Sequence, residues 1–152
     1  MELFEEEFYK VFGDNHKVKH VISPLRICPL GAHVDHQHGL VTGMTLQANI
    51  NMAYSCNNNG YVQVQSLDFP DKDYFHIENV PGLLPGFWGN YLRGAVLSLK
   101  RNFRLTNGVN AVISGKYPIG GLSSSAAVTT AYLLALCDVN GINLSKTELI
   151  QY

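Results

Sequence analysis

The stretch that most constrains the fold of this chain is Pro-Ile-Gly-Gly-Leu-Ser-Ser-Ser-Ala-Ala-Val at residues 118–128. A glycine turn is followed by three hydroxyl side chains and then by an apolar run. We interpret this pattern as a loop that enters a helix, with Ser123, Ser124 and Ser125 at the helix N-terminus. Because the first N–H groups of a helix lack internal partners and carry partial positive charge, such a turn can hold phosphate groups. An ordinary capped helix fits the same pattern, since serine is common at helix N-termini.

The run resembles the phosphate-binding motif of the GHMP small-molecule kinases, and its Gly-Leu-Ser-Ser-Ser-Ala-Ala form is most similar to the galactokinase branch. The resemblance implies an α+β fold like the N-terminal half of these kinases, with βαβ elements like those of ribosomal protein S5 domain 2. It also implies that ATP and Mg²⁺ are cofactors, with Ser124 on the Mg²⁺ side. The residues implied to hold the phosphates are Gly120, Gly121, Leu122, Ser123, Ser124 and Ser125.

A second informative stretch, residues 23–39, combines two prolines and two glycines with an arginine, an aspartate and several histidines. These breakers make a regular strand or helix throughout improbable, and loops that collect such side chains often carry function. Three interpretations stay open from the residues alone. The stretch is a solvated loop, a sugar-recognition site, or a metal site formed by His33, Asp35, His36 and His38, although that spacing matches no structural zinc pattern.

The stretch resembles the galactokinase signature Gly-Arg-x-Asn-Leu-x-Gly-Glu-His-x-Asp-Tyr, with Arg26, Gly31, His33 and Asp35 on matching positions. The resemblance implies that Arg26 lies near the transferred phosphoryl group and that His33 and Asp35 contact sugar hydroxyls. The family glutamate, which contacts the C6 hydroxyl, is Ala32 here.

This replacement at Ala32 bears on the substrate. A glutamate would repel a C6 carboxylate by about 4 kcal/mol at contact distance and an effective dielectric constant near 20. An alanine removes that repulsion, and the motif is similar to that of plant galacturonokinases. We therefore expect galacturonate to be the preferred substrate.

Aromatic residues near the start of a predicted helix supply a third region. Trp88 and Tyr91 have helical spacing that is typical of core residues. The segment Trp-Gly-Asn-Tyr-Leu-Arg-Gly also resembles the galactokinase helix whose tryptophan and tyrosine lie near adenine, which implies that Trp88 and Tyr91 contact the nucleotide. Neither a P-loop motif nor a Gly-x-Gly-x-x-Gly fingerprint occurs, which argues against a P-loop NTPase or a Rossmann dinucleotide-binding protein.

Composition excludes several other classes of protein. The net charge of −1 gives no electrostatic footprint for nucleic acid or an anionic membrane. The three widely spaced cysteines suggest a reducing compartment rather than a disulfide framework. The acidic N-terminus has no signal-peptide pattern, and no apolar run approaches membrane-spanning length, so we expect a cytoplasmic protein. Composition does not indicate the oligomeric state.

The remaining pattern predicts the order of elements along the chain. We expect helices over residues 3–12, 123–138 and from Phe87 toward Arg101, and strands at 17–23, 41–56, 61–67, 74–77 and 108–115. The turn at residues 57–60 predicts a β-hairpin. Residues 145–148 form a capping box that predicts a further helix close to residue 152.

We expect residues 1–152 to be the N-terminal domain of a longer kinase, without its catalytic aspartate and with exposed apolar surface. The expected reaction is ATP-dependent phosphorylation of the anomeric hydroxyl of a galactose-type sugar. Two alternatives stay open, namely a galactokinase that acts on galactose and a sugar sensor without catalytic activity.

Overall fold

A computed structural model describes residues 2–13, 15–31, 34–115 and 122–152, apart from the side chains of Glu2 and Asp35. The elements in these ranges, in chain order, are α1 (Glu2–Phe12), β1 (Lys19–Ile27), a 3₁₀ turn (Asp35–Gln37), β2 (Met44–Asn57), β3 (Tyr61–Ser66), β4 (Lys72–His76), α2 (Asn90–Lys100), β5 (Gly108–Gly115), α3 (Ser124–Val139) and α4 (Lys146–Leu149).

Within the described ranges, five strands form one sheet in the order β1-β2-β5-β3-β4. The central strand β5 is antiparallel to β2 and parallel to β3. The chain passes from β3 to β5 through β4 and α2, which makes this half of the sheet a βαβ unit with an added edge strand. Residues 108–113 of β5 are all buried, as expected for a strand that is covered on both faces. The predicted α+β fold with βαβ elements is confirmed.

The turn at residues 57–60 does not join paired strands, so the predicted hairpin is wrong. Strand β5 lies between β2 and β3 in the sheet. Gly108 begins β5 so close to Tyr61 that a Cβ atom there would collide with the Tyr61 carbonyl group. The Asn-Gly signal predicts a chain reversal, which is present, but it does not specify strand pairing. Strand β5 pairs with β2 along one edge and with β3 along the other, and so separates them.

The helices α2 and α3 cover one face of the sheet and α1 covers part of the other. Phe8 of α1 is fully buried against Ala53 of β2 and Val112 of β5. The main core lies between the sheet and the pair α2 and α3. Among its members are Leu25, Met52, Val62, Val64, Leu92, Val96, Leu99, Val109, Tyr132 and Leu136.

Helix α1 has an apolar stripe that is only partly buried; it consists of Leu3, Phe4, Phe8, Val11 and Phe12. Leu3 and Val11 are 66% and 42% exposed, whereas Phe4 and Phe12 pack beside Phe8. The buried part of the stripe is narrow because the buried apolar residues beneath α1 are only Ala53 and Val112 among those described.

Strand β1 continues to Ile27 and so enters the stretch predicted to be irregular. A register shift lies between Pro24 and Arg26, and an edge strand tolerates proline. The capping box is confirmed, since the Glu148 N–H donates to Ser145 Oγ and Glu148 accepts from the Ser145 N–H. None of the helices in the described ranges is both long and apolar enough to span a membrane.

Candidate functional site

A cavity of about 160 Å³ lies between the sheet and the N-terminal parts of α2 and α3. It brings Trp88 and Tyr91 together with Ser124 and Ser125, which lie more than thirty residues away in the sequence. The aromatic and hydroxyl residues singled out from separate sequence regions therefore line one cavity. Its other walls are Ile50, Ser66, Asp68, Phe69, Ile113, Ser114, Gly115, Val128 and Tyr132.

The N-terminus of α3 offers uncapped donors at one end of this cavity. Ser123 precedes the helix with φ of 54° and ψ of 35°, in the left-handed region, and its hydroxyl makes no capping hydrogen bond. For a residue with a side chain this conformation costs about 1–2 kcal/mol. The first turn carries no acidic residue that would offset the helix dipole. The arrangement suits an anion, because free N–H groups and hydroxyls point outward from a helix N-terminus.

Arg26 is held beside the same turn by the backbone. Its N–H donates to the carbonyl oxygen of Leu122 at 3.1 Å, which ties the end of β1 to the residue before Ser123. Its side chain is exposed and passes over Gly43, where a Cβ atom would lie 3.8 Å from Arg26 Cδ. Among the described residues, the guanidinium group of Arg26 has no recorded hydrogen bond or ion pair. It is therefore free to bind an anion.

A buried ion pair positions the start of α2, which carries the aromatic residues. Arg93 donates from Nε and Nη2 to the two carboxylate oxygens of Asp73, both at 2.9 Å. Gly89 packs so closely that a Cβ atom would lie 2.5 Å from the Asp73 carboxylate. Local sequence gave no sign of this pair, because its partners lie twenty residues apart on different elements.

Two polar atoms in the cavity wall are buried without a partner in the described part of the chain. They are Nε1 of Trp88 and the hydroxyl oxygen of Tyr132. Burial raises the pKa of Tyr132 well above its ordinary value, so the hydroxyl stays neutral at physiological pH. An indole N–H can only donate, whereas a phenol can donate or accept.

Asp68 fixes the end of β5 just before residue 116. Its carboxylate accepts from the Ser114 hydroxyl at 2.8 Å and from the Gly115 N–H at 2.6 Å. The chain thus enters residues 116–121 from a fixed point beside the cavity. Sequence reasoning missed Asp68, since it lies 46 residues from Ser114 and belongs to no recognised motif.

The loop after β1 is described only in part. Leu30 and Thr42 join the two ends of this loop. The Thr42 N–H donates to the Leu30 carbonyl, and the Leu30 N–H donates to Thr42 Oγ1. Gly31 has φ of +85° and contacts the Leu40 backbone too closely for any side chain. Ala32 and His33 lie outside the described residues, as does the side chain of Asp35, whose backbone begins the 3₁₀ turn. The predicted sugar contacts at these three positions stay predictions.

Of the residues predicted to bind phosphate, some are described by the structure and others are not. Gly120 and Gly121 lie outside the described residues, whereas Leu122 and Ser123 stand directly before α3. Within the described ranges, no group of three or more histidine, cysteine, aspartate or glutamate side chains could hold a metal ion. The cysteines Cys28, Cys56 and Cys137 are all free.

The comparisons with known proteins show the family of the chain. The family model described as GHMP kinases N terminal domain matches residues 90–152. The chain is 37% identical to a galacturonokinase of Arabidopsis thaliana over 91% of its own length. It is 31% identical to a galactokinase of Lactococcus lactis over 96% of its length. It covers 37% and 38% of these two proteins, so the chain spans well under half of the curated relatives it matches.

Solved structures give the same result for the fold. The crystal structure of Lactococcus lactis galactokinase complexed with galactose superposes with a TM-score of 0.89 at 29% identity, over 96% of this chain and 39% of that one. Mevalonate kinase from Methanococcus jannaschii superposes with a TM-score of 0.75 at 17% identity, over 91% of this chain and 45% of that one, which shows a shared fold alone. Sequence and fold together show that the chain belongs to the GHMP kinase superfamily, on its galactokinase side.

Proposed function

We propose that residues 1–152 are the N-terminal domain of a longer ATP-dependent kinase that phosphorylates the anomeric hydroxyl of a galactose-type sugar. The observation that carries this proposal is the single cavity that joins Ser124 and Ser125 with Trp88 and Tyr91. One end of the cavity offers anion donors and the other an apolar wall, as a nucleotide requires.

In this proposal the polyphosphate lies against the N-terminus of α3. Ser123, Ser125 and the first N–H groups of α3 would bind phosphate oxygens, and Arg26 would offset negative charge beside Leu122. Ser124 would contribute its hydroxyl to Mg²⁺, which supplies positive charge that neutralises phosphate oxygens when it is bound. The loop with Gly120 and Gly121 would complete the phosphate-binding site.

The other end of the cavity would receive the nucleotide base. An engineered cavity of about 150 Å³ is large enough to hold benzene, so one of about 160 Å³ suits an aromatic ring. Trp88 and Tyr91 would contact the ring.

The catalytic carboxylate would come from a part of the polypeptide beyond residue 152. The two acidic residues after the serines, Asp138 and Glu148, are both engaged in structural contacts. Asp138 accepts from Lys19 and Tyr54, and Glu148 closes the capping box of α4. Exposed apolar side chains border the loop after β1, which carries the predicted sugar contacts; among them are Leu30, Leu40 and Met44. These side chains are suited to contact such a further domain.

The preferred substrate in this proposal is galacturonate, with ATP as the phosphoryl donor. Support comes from Ala32, which stands where galactokinases have a glutamate, and from the relative named a galacturonokinase. His33 and Asp35 would bind the sugar hydroxyls. Galactose is the competing substrate, because other relatives are named galactokinases.

The experiment that tests this proposal is Mg²⁺-dependent ADP release by the complete polypeptide, with galacturonate and galactose side by side. We expect turnover on galacturonate. The substitution Ala32→Glu should then lower activity on galacturonate more than on galactose, because it places a carboxylate against the C6 carboxylate. The matched control Ala32→Gln has a similar volume without the charge and should spare galacturonate turnover more than Ala32→Glu does.

The remaining outcomes separate the alternatives. Turnover on galactose only would overturn the galacturonate assignment and leave a galactokinase. Absence of ADP release with both sugars, together with a rise in Tm when either sugar is added, would indicate a sensor without catalytic activity. Absence of both effects would overturn the sugar-kinase proposal as a whole.

A further inference from the structure

The sequence contains three Asn-Gly dipeptides, at 59–60, 107–108 and 140–141. In such a pair the glycine nitrogen can attack the asparagine side-chain carbon, because glycine has no side chain to shield its nitrogen. By sequence alone the three sites are equivalent. We propose that Asn59 is a site of spontaneous deamidation in the folded protein and that the fold protects Asn107 and Asn140.

The electrophile at Asn59 is polarised and turned toward its own glycine. Asn59 is exposed at the turn between β2 and β3. Its Oδ1 accepts a hydrogen bond from the Tyr61 N–H at 3.0 Å, which folds the side chain forward over Gly60. That bond also stabilises negative charge on Oδ1, the atom that becomes an oxyanion when Cγ is attacked.

The nucleophile is activated by His76. The ring Nε2 lies 3.2 Å from the carbonyl oxygen of Asn59, which belongs to the same peptide group as the Gly60 nitrogen. The Glu78 N–H donates to Nδ1 at 3.2 Å, so the neutral ring carries its proton on Nε2 and donates to Asn59. A hydrogen bond to the carbonyl oxygen withdraws electron density and stabilises the deprotonated peptide nitrogen.

Gly60 itself is buried, and the imidazole of His76 covers it. The Gly60 N–H makes no hydrogen bond to the described residues. The imidazole of His76 lies directly against Gly60, since a Cβ atom there would be 2.6 Å from Nε2. The attack on Asn59 Cγ therefore takes place within the turn, beneath the imidazole of His76.

The reaction needs no reactant other than water. The Gly60 nitrogen loses its proton to solvent and forms a bond to Asn59 Cγ, and the side-chain nitrogen leaves as ammonia. The resulting succinimide is hydrolysed by one water molecule at either carbonyl. The product is aspartate or, when the backbone carbonyl is attacked, isoaspartate. No oxidation or reduction occurs.

The site at Asn140 is blocked by hydrogen bonds. Its Oδ1 accepts from the N–H groups of Thr106 and Asn107, and its Nδ2 donates to the carbonyls of Asn107 and Leu136. These four bonds hold the side chain away from the following nitrogen. The Gly141 N–H itself donates to the Asp138 carbonyl, so its nitrogen is not free.

The site at Asn107 is blocked by a side-chain hydrogen bond and by the sheet. Its Nδ2 donates to the Val139 carbonyl at 2.7 Å, which fixes the side chain toward α3. Gly108 is buried at the start of β5 and packs against the Tyr61 backbone. Attack would require this end of the strand to leave the sheet.

The test is peptide mapping by mass spectrometry of the purified chain after incubation in mildly alkaline buffer. We expect deamidation at Asn59 to be at least about tenfold faster than at Asn107 or Asn140 in the folded chain, a difference of about 1.4 kcal/mol in barrier. In urea the three rates should converge. Equal rates in the folded chain would overturn the proposal, and so would a difference that persists in urea.

The role of His76 is tested separately. His76→Phe keeps an aromatic ring beside Tyr61 but removes the N–H donor, so deamidation at Asn59 should slow about twofold to tenfold, the range for one neutral hydrogen bond. His76→Gln retains a donor and should recover part of the rate. Circular dichroism checks that both variants are folded. An unchanged rate in folded His76→Phe would remove His76 from the mechanism.

Discussion

The carboxylate of Asp73 on β4 accepts two parallel hydrogen bonds from the guanidinium group of Arg93 on α2, each 2.9 Å long. Both side chains are almost fully buried, at 4% and 6% exposure. Arg93 also lies over the Phe87 ring, 4.9 Å from its centre. The pair therefore fixes the start of α2 against the sheet, where Trp88 lines the cavity.

Removing one partner of this pair should be strongly destabilising. We expect Asp73→Ala to lower the free energy of unfolding by about 3–5 kcal/mol, because it leaves the Arg93 charge buried without a counter-charge. Urea denaturation monitored by circular dichroism measures the loss. The double substitution Asp73→Leu with Arg93→Met should cost much less, since it removes both charges. A loss below about 1 kcal/mol for Asp73→Ala, typical of exposed ion pairs, would contradict this assignment.

Much of the fold could be predicted from local patterns. The strand β5 and the helix α3 lie within one residue of their predicted ends, because apolar runs bounded by glycine or asparagine are strong local signals. The hairpin at residues 57–60 was wrong, because a turn signal does not say which strand pairs with which. The pairing depends on β5, which lies about fifty residues later in the chain and is placed between β2 and β3 in the sheet.

Part of the candidate site could likewise be predicted from the sequence, and part could not. Ser124, Ser125, Trp88 and Tyr91 could be found from motifs, and the fold brings them to one cavity. Asp68, Asp73 and Arg93 could not be found, since each acts through a partner that is distant in sequence. Tyr132 could not be found because it joins the cavity wall only when α3 packs on the sheet. Ala32, His33, Gly120 and Gly121 stay predictions from the motifs.

Tyr132 should show a gain in stability when its hydroxyl is removed. The hydroxyl is buried without a partner in the described part of the chain, and such a group costs about 1–3 kcal/mol. We therefore expect Tyr132→Phe to raise the free energy of unfolding and the Tm. The matched control is Tyr54→Phe, which removes a hydroxyl that donates to Asp138 at 3.0 Å and should lower the Tm. A lower Tm for Tyr132→Phe would mean that the hydroxyl has a stabilising partner.

Asp138 should make the stability depend on pH in the acid range. Hydrogen bonding to Lys19, with a further contribution from Tyr54, lowers the pKa of Asp138. A carboxyl group whose pKa is lower in the folded state stabilises the fold above its unfolded pKa, which is about 3.9. This stabilisation is lost as the pH falls through the lower, folded-state pKa.

The measurement for Asp138 is the urea midpoint as a function of pH, from neutral to strongly acid solution. Asp138→Asn should flatten the acid part of the curve and lower the midpoint at neutral pH. The effect should be modest, because the Lys19 and Asp138 side chains are 48% and 37% exposed and solvent screens their attraction. An unchanged profile in Asp138→Asn would show that the contact with Lys19 contributes nothing in solution.

Two substitutions at Ser123 separate the contribution of its hydroxyl group to stability from that of its backbone conformation at the start of α3. Its left-handed conformation costs about 1–2 kcal/mol, and the greater freedom of glycine in the unfolded chain offsets about 0.4–1 kcal/mol of the relief. We therefore expect Ser123→Gly to stabilise the chain by several tenths of a kcal/mol or slightly more. Ser123→Ala should leave stability nearly unchanged, because the hydroxyl makes no capping hydrogen bond.

Kinetics of the complete polypeptide then test the proposed phosphate contact of Ser123. If the hydroxyl binds a phosphate oxygen, both Ser123→Ala and Ser123→Gly should raise the KM for ATP by about tenfold to 100-fold, the range for one hydrogen bond to a charged group. If only the backbone N–H groups of the turn bind phosphate, Ser123→Ala should leave the KM unchanged. A drop in stability of about 1 kcal/mol in Ser123→Ala would instead mean that the hydroxyl caps α3 in solution. The free hydroxyl and the strained backbone at Ser123 favour the first outcome, since the conformation has a cost that no contact within the described chain offsets.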